Sequence, residues 1–287
     1  MAAVRQTDAS LEAAGGRGRP TDRTAGPADA ARAEQTIRLL WRHREPQPRR
    51  RGPRPRHDLD AVVATAVAMA DRAGLDAVTV RQLADRLGIA RMAVYTYVSD
   101  LDQLVELMTD TVVAELFDGR IRAHPYGPRS RPPVDRRRGW RRVARTVATA
   151  NLELFQRHPW LIDRPNVRPV LGPHSTAKYD AELTCFEGLG LTEAEMDLAL
   201  WQLLNHVRGT AGDLIAAGRH AELTAVWWER VATAIGDRIT AAEFPRAVRV
   251  GAAVGEQQGS AYDPPASYRF GLDLLLDGLQ VAIDRRS

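Results

Sequence analysis

From Asp58 onward the apolar residues recur at three- and four-residue spacing, and no useful length of chain alternates apolar with polar. Alternation is the mark of a half-buried strand, whereas the i, i+3, i+4 spacing is that of an amphipathic helix. The pattern commits the chain to an all-α fold. A first helix is expected over about 59–73, with Val62, Val63, Ala66, Val67 and Ala70 on one face and Gly74 as a left-handed terminator. Thr79-Val80-Arg81-Gln82 reads as a capping box opening a second helix to about Leu87. Gly88 then turns the chain into a third helix, about Ala90 to Tyr97, and a box at Ser99-Asp100-Leu101-Asp102 opens a longer one through about Phe117. Further helices are expected over about 135–157 (stopped by His158-Pro159), 174–189, 193–217, 221–238 and 266–284, with a loop at 251–265. A short helix is also expected over 31–44, on Ile37, Leu40 and Trp41.

The 287 residues divide into three expected regions: an extension and arm at 1–57, a domain at 58–105 and a second domain at 106–287. Residues 1–30 carry almost no large apolar side chains, so burial cannot offset their ordering entropy and disorder is expected. A single cysteine, Cys185, excludes a disulfide framework and a cysteine-based zinc site. The longest apolar run is about ten residues, too short to span a bilayer, and no secretory signal is visible. A soluble, cytoplasmic protein without membrane partners is the expectation.

The net charge of +4 hides a segregation. Residues 1–57 carry thirteen Arg against six acids, and residues 121–145 carry nine Arg against one acid; the segment between them is acidic. Guanidinium is planar, always charged and bidentate, which suits phosphate, although such blocks are also found merely solvated. In the arm, Arg49, Arg51 and Arg54 precede the first helix, where an extended segment could reach a minor groove.

The segment Thr79–Tyr97 is helix, Gly turn, helix, and Leu83, Ala84, Leu87, Ile89 and Val94 are spaced to pack the two together. That is the helix-turn-helix arrangement, in which the second helix presents its first residues to the major groove. Those residues are Arg91, Met92, Ala93, Tyr95 and Thr96. Arg91 can pair bidentately with guanine, and Met92 can touch thymine methyls. Arg81 and Tyr97 fall on the same side. A plain helical hairpin in a bundle has the same spacing, so the exposed side chains carry the DNA-binding expectation.

Residues 58–110 resemble the N-terminal domain of the tetracycline-repressor (TetR/AcrR) family. The runs at 139–161, 186–215 and 270–283 resemble its effector-binding domain. The resemblance covers roughly 36–287. It implies a homodimer that binds a palindromic double-stranded DNA operator and releases it when a small-molecule effector enters the C-terminal bundle. Arg81 matches a base- and phosphate-contacting Arg, Arg91 and Met92 the first base-reading positions, and Tyr95 a phosphate-contacting Tyr. Two residues depart from the pattern. Ala90 stands where a Ser or Thr cap is usual, and Leu101 where a Lys grips a phosphate.

For the effector side, Phe117, Phe186 and Trp201 are candidate apolar contacts, and Asn205-His206 is a polar pair within an apolar helix that needs partners. His158 and Arg164 match in place a loop near the drug in the tetracycline-repressor branch. Gly209, Ala211, Gly212, Ala216 and Ala217 would allow close approach in a dimer bundle. No cofactor is expected; a magnesium-assisted ligand is conceivable, but the metal signal is weak. Nucleophile elbows, phosphate-binding loops and metal-ligand spacings are absent from the sequence, so an enzyme is not expected. Two other readings stay open. One is an architectural DNA binder acting through its Arg-rich arms; the other is a ligand-binding dimer with weakened DNA binding.

Overall fold

Local chemistry sets the helix boundaries of this chain. The computed structural model describes residues 27–44, 57–116, 136–163, 168–236, 238–258 and 263–286. Among them are helices α1 (Pro27–Leu40), α2 (Leu59–Ala73), α3 (Val80–Leu87), α4 (Arg91–Val94), α5 (Leu101–Val113) and α6 (Arg136–Arg157). They are followed by α7 (Trp160–Asp163), α8 (Pro173–Leu183), α9 (Glu193–Ile235), α10 (Pro245–Gln258) and α11 (Pro264–Asp284). The all-α expectation holds, with no strand among the described residues.

The caps explain where these helices start and stop. Asp58 accepts from the Ala61 N–H and opens α2. Gly74 has φ 82° and ψ 170°, so it uses glycine's freedom at positive φ but turns the chain into extended backbone rather than the expected left-handed helical state. Gly88, at φ 64° and ψ 39°, is the left-handed residue. Thr79 caps Gln82 as the capping box requires. The cap of α5 is one residue later than expected: Asp100 accepts the Gln103 N–H at 2.8 Å, and Gln103 Oε1 accepts the Ser99 N–H at 2.8 Å. Thr192 and Glu195 bond reciprocally at the start of α9.

Helix α8 ends at Leu183 rather than near 189, and three larger expectations also fail. The helices expected at 193–217 and 221–238 are one 43-residue helix, α9. Nothing between them stops it: Gly218 costs about 1 kcal/mol relative to Ala but does not break a helix, and neither a proline nor a capping residue follows. The expected loop at 251–265 is largely α10, opened by Pro245 at its first position and spaced helically by Ala247, Val248, Ala252 and Val254. The third helix is shorter than expected, a single α turn from Arg91 to Val94 followed by turns through Tyr97, and its Ala90 cap makes no side-chain bond.

The apolar residues form two buried clusters. One unites α2 to α5 with Leu40 of α1, Ala150 and Leu154 of α6, and Trp160. The other joins α6, α9 and α11 through Trp140, Phe186, Leu203 and Leu276. Phe155 packs against both.

Helix α1 belongs to the first cluster and lies along α5. Gln103 Nε2 donates to Thr36 Oγ1 at 2.8 Å in a buried contact, and Arg32 holds Asp100 bidentately at 2.6 and 2.8 Å. The guanidinium bond, ahead of opposing burial, keeps the Asp100 carboxyl well below the usual carboxylate range. A depressed carboxylate adds stability that is present above its unfolded value, about 3.9, and is lost as pH falls toward the folded value. Arg32→Met is therefore expected to cost about 0.5–1 kcal/mol, a figure already reduced for the pair's partial exposure. Thermal melting should show the gap between wild type and variant flat from pH 7 to 5 and narrowing below about pH 4. A gap that widens in acid would refute the assignment.

Candidate DNA-reading head and its ties to the effector domain

Helices α3 and α4 bury Leu83, Ala84, Leu87 and Val94 and present the opposite side to solvent. Arg81, Gln82, Arg91 and Thr96 are exposed there, with Met92 74% and Tyr95 48% exposed. Met92 in the first turn of α4 and Tyr95 at its C-cap are held in water on the side that also exposes Arg81 and Arg91, which matches what a groove-reading helix needs and what a bundle hairpin does not. The Thr96 hydroxyl donates to the Ala93 carbonyl at 2.7 Å, closing the turn.

Tyr97 behaves differently from the sequence expectation. It is half-buried against the first cluster, and its hydroxyl donates to the His57 carbonyl at 3.2 Å. The His57 ring donates in turn to the Leu87 carbonyl at 2.8 Å. Tyr97 is thus part of the scaffold that fixes the entry to α2 beside the reading helix. Leu101, at the position where a phosphate-gripping Lys was expected, also packs against the first cluster. Arg49, Arg51 and Arg54 lie outside the described residues.

Three contacts tie this head to the C-terminal helices. The first is His158, expected from sequence near an effector. It is buried, with Nδ1 2.7 Å from an Asp71 oxygen on α2 and Nε2 3.0 Å from a Glu115 oxygen just after α5. Trp160 Nε1 donates to the same Asp71 oxygen at 2.8 Å. With its ring nitrogens held by Asp71 of α2 and by Glu115 just after α5, His158 ties the end of α6 to the reading head and is not open to a ligand. The second is Asp110 of α5, 4% exposed, whose carboxylate accepts the Ser175 N–H at 2.8 Å and lies 3.1 Å from His174 Nδ1. It caps the N-terminus of α8, where the free N–H groups and the helix dipole favour an anion. Gly172 makes room for it: a Cβ there would lie 2.2 Å from the Asp110 carboxyl carbon. In the third, Trp41 Nε1 donates to the Leu171 carbonyl at 2.8 Å, one residue before Gly172.

The remaining effector candidates are scattered. Phe186 is fully buried in the second cluster, with its ring centroid 6.3 Å from that of Trp140, so it is packed core. Trp201 is 46% exposed and Asn205 is exposed, both on an outward face of α9. His206 stacks on the Tyr268 ring at 5.5 Å and donates to the Tyr268 carbonyl at 3.0 Å. Its ring lies where a Cβ of Gly271 would be, 2.4 Å away, so His206 locks α9 to α11. Phe117 and Arg164 lie outside the described residues. Of the small residues expected at a dimer seam, Ala211 is fully buried and Gly212 faces Ile162, so they serve packing within the chain. Burial, and then the Glu182 charge, push the Cys185 thiol up. No group of three or more His, Cys, Asp or Glu among the described residues could hold a metal ion, and none of their helices is long and apolar enough to cross a membrane.

The sequence reading missed Asp71, Asp110 and Gly172. Asp110 stands within an otherwise apolar helical face, a signal that was available; Gly172 and Asp71 offered none.

A helix-turn-helix head locked to an all-helical second domain defines a class of DNA-binding regulator, and comparison with known proteins agrees. Residues 62–108 match the family described as bacterial regulatory proteins, tetR family, and residues 132–283 match the tetracyclin repressor-like C-terminal domain. The HTH-type transcriptional repressor DrrR1 of Streptomyces coeruleorubidus is 33% identical over 95% of this chain and 94% of its own length. Apo ActR of Streptomyces coelicolor shares the fold with a TM-score of 0.63 at 20% identity, covering 82% of this chain and all of its own. ActR in complex with actinorhodin aligns with a TM-score of 0.61 at 21% identity, over 80% of this chain and 99% of its own. The chain belongs to the TetR family of DNA-binding transcriptional regulators. It is a transcription factor and not an enzyme.

Proposed function

We propose that the protein is a homodimeric repressor that binds a palindromic operator and releases it when a small molecule enters the C-terminal bundle. The observation that carries this reading is the set of ties at His158, Asp110 and Trp41, because they make the position of the reading head depend on α6, α7 and α8. An effector that moves α8 moves the cap on Asp110, and with it α5, which follows directly on the reading helix. The repressor DrrR1 and the ligand-bound ActR support the same reading. On this reading Arg91 and Met92 read bases, Arg81, Tyr95 and Thr96 hold backbone phosphate, and the Arg49, Arg51 and Arg54 arm adds phosphate contacts. It acts on chromosomal DNA in the cytoplasm and requires no cofactor.

An exposed apolar stripe supports the dimer. Leu198 and Trp201 on α9 and Phe270, Leu274 and Val281 on α11 are 46–68% exposed at helical spacing. Large apolar side chains left exposed on two packed helices favour an association surface. Self-pairing about a two-fold axis would bury it and give two reading heads for two half-sites. Phe270→Glu with Leu274→Glu is expected to give monomers in sedimentation equilibrium and to weaken operator binding. A variant that stays dimeric would remove this face from the interface.

The direct test is fluorescence anisotropy with DNA from the protein's own locus. Specific binding that weakens steeply with salt is expected. An architectural Arg-arm binder would instead lose all binding in the triple variant Arg49→Ala/Arg51→Ala/Arg54→Ala, which leaves α1 in place, whereas a repressor keeps its sequence preference. No shift of any locus fragment at low salt would end the repressor reading.

A further inference from the structure

Helix α1 precedes the reading head in sequence, and one of its arginines keeps an unused edge. Arg32 gives its Nε and Nη2 hydrogens to the two oxygens of Asp100, at 2.6 and 2.8 Å. A guanidinium carries five N–H donors in a fixed plane, so the Nη1–Nη2 edge, the fork that grips a second anion, has no partner among the described residues. The side chain is 28% exposed. Arg42, just past the end of α1, is the contrast. Its Nε and Nη2 go to Asp60 of α2 and its Nη1 to the Leu39 carbonyl, so all three nitrogens are engaged inside the protein.

Arg32 stands where the reading helix gives way to α5. Asp100 is the N-cap of α5, and the exposed Ser99 donates to the same carboxylate at 3.1 Å. Tyr95 and Thr96, the exposed end of the reading turn, precede Ser99 by four and three residues. One turn along α1, the buried bond from Gln103 to Thr36 fixes the two helices, so Arg32 and Thr36 face Asp100 and Gln103 and the guanidinium is held in place. The local sequence supplies no cation to this corner. Between Arg91 and Arg120 there are six acids and no lysine or arginine, and Leu101 packs on the first cluster. The charges of Asp102 and Glu106 act on Arg32 as well as that of Asp100. A corner of that sign repels DNA unless a cation from elsewhere in the chain stands on it. Stability gives a weak reason for the pair, since a partly exposed ion pair contributes little.

Resting on the operator-binding reading above, we propose that Arg32 is a contact to operator backbone phosphate, presented at the start of α5 by Asp100. Asp100 orients the guanidinium through one edge, and the other edge donates to two oxygens of one phosphate, the bidentate match that suits arginine to phosphate. The guanidinium then lies between two anions and offsets the charge of both, so Asp100 can stand beside the duplex. Helix α1 thereby joins α3 and α4 in the DNA-binding surface. A contact of this kind adds affinity and sets the register of the head on the duplex without reading sequence.

Fluorescence anisotropy of the full-length protein over a salt series tests the idea, with two duplexes of equal length, one from the protein's own promoter and one of shuffled sequence. Arg32→Gln keeps a donor for Asp100 but loses the charge and the fork. It is expected to bind both duplexes at least tenfold more weakly and to flatten the slope of log K against log salt by about two units, one contact for each half-site. Arg32→Lys keeps the charge and should keep the wild-type slope. The double variant Arg32→Met/Asp100→Asn removes the repelling carboxylate along with the guanidinium and leaves Asn to cap α5. It should stay as weak as Arg32→Met. Recovery of the double variant to within threefold of wild type would show that Arg32 only cancels the Asp100 charge, and overturns the proposal. A wild-type slope in folded Arg32→Gln, or a loss confined to the promoter duplex, overturns it as well. A wild type that prefers its promoter while Arg32→Gln binds equally well leaves the repressor standing without this contact; a wild type that binds neither duplex removes both.

Discussion

Arg91→Ala is expected to lower operator affinity at least thirtyfold while leaving the fold and the dimer intact. Arg91 is exposed at the first position of α4, where the uncapped helix end faces out and Val94 anchors the opposite side. A bidentate arginine–guanine contact discriminates by about 1–3 kcal/mol, and a two-fold dimer makes it twice, so about 2–6 kcal/mol is at stake. Because the side chain is exposed and makes no hydrogen bond or ion pair among the described residues, its removal should not change the melting temperature. The salt dependence separates two roles. A base contact leaves the slope of log K against log salt unchanged, whereas loss of a phosphate contact flattens it by about one unit per contact. Arg91→Ala should show the first behaviour. Binding within threefold of wild type would show that α4 does not read the operator through this residue.

Among the glycines described, Gly172→Ala should be the most damaging alanine substitution. The backbone at Gly172 has φ −82°, which alanine adopts freely, so the conflict is steric: the new Cβ would lie 2.2 Å from the Asp110 carboxyl carbon. Asp110 has a short side chain and is buried, so it cannot move aside and still cap α8. Displacement strands a carboxylate between helices and leaves the Ser175 N–H without its acceptor, a loss of about 2–4 kcal/mol. The effect acts through Asp110, so in an Asp110→Ala background the same substitution should cost less than about 0.5 kcal/mol. Additive losses in the denaturation cycle would show that Gly172 serves something else. Since Asp110 joins α8 to α5 and α5 follows the reading helix, Asp110→Ala should also uncouple effector binding from DNA release.

How much of this was legible depends on distance along the chain. Caps and turns were read well because their partners are three or four residues apart: Thr79 and Gln82, Thr192 and Glu195, Gly88. The Ser99 box slipped by one because serine and aspartate both cap, and Asp100 won through a second partner, Arg32, 68 positions away. His158 is placed near an effector by resemblance alone; its actual partners, Asp71 and Glu115, stand 87 and 43 positions away, beyond the reach of any local pattern. Tyr97 was grouped with its exposed neighbours, and only packing shows that its ring turns inward.

What this sequence determines by itself is what periodicity and short-range bonding control: all-helical structure, the Gly88 turn, and a reading face of Arg81, Arg91, Met92 and Tyr95 that stays in water because its opposite face is apolar. What the tertiary structure decides is every pairing of charge with charge across helices. A carboxylate's partner is whichever donor the fold brings within 3 Å, and no local pattern specifies which one that is. Hence Asp110 under α8, His158 between two acids, and Arg32 on Asp100 appear only once the helices are packed.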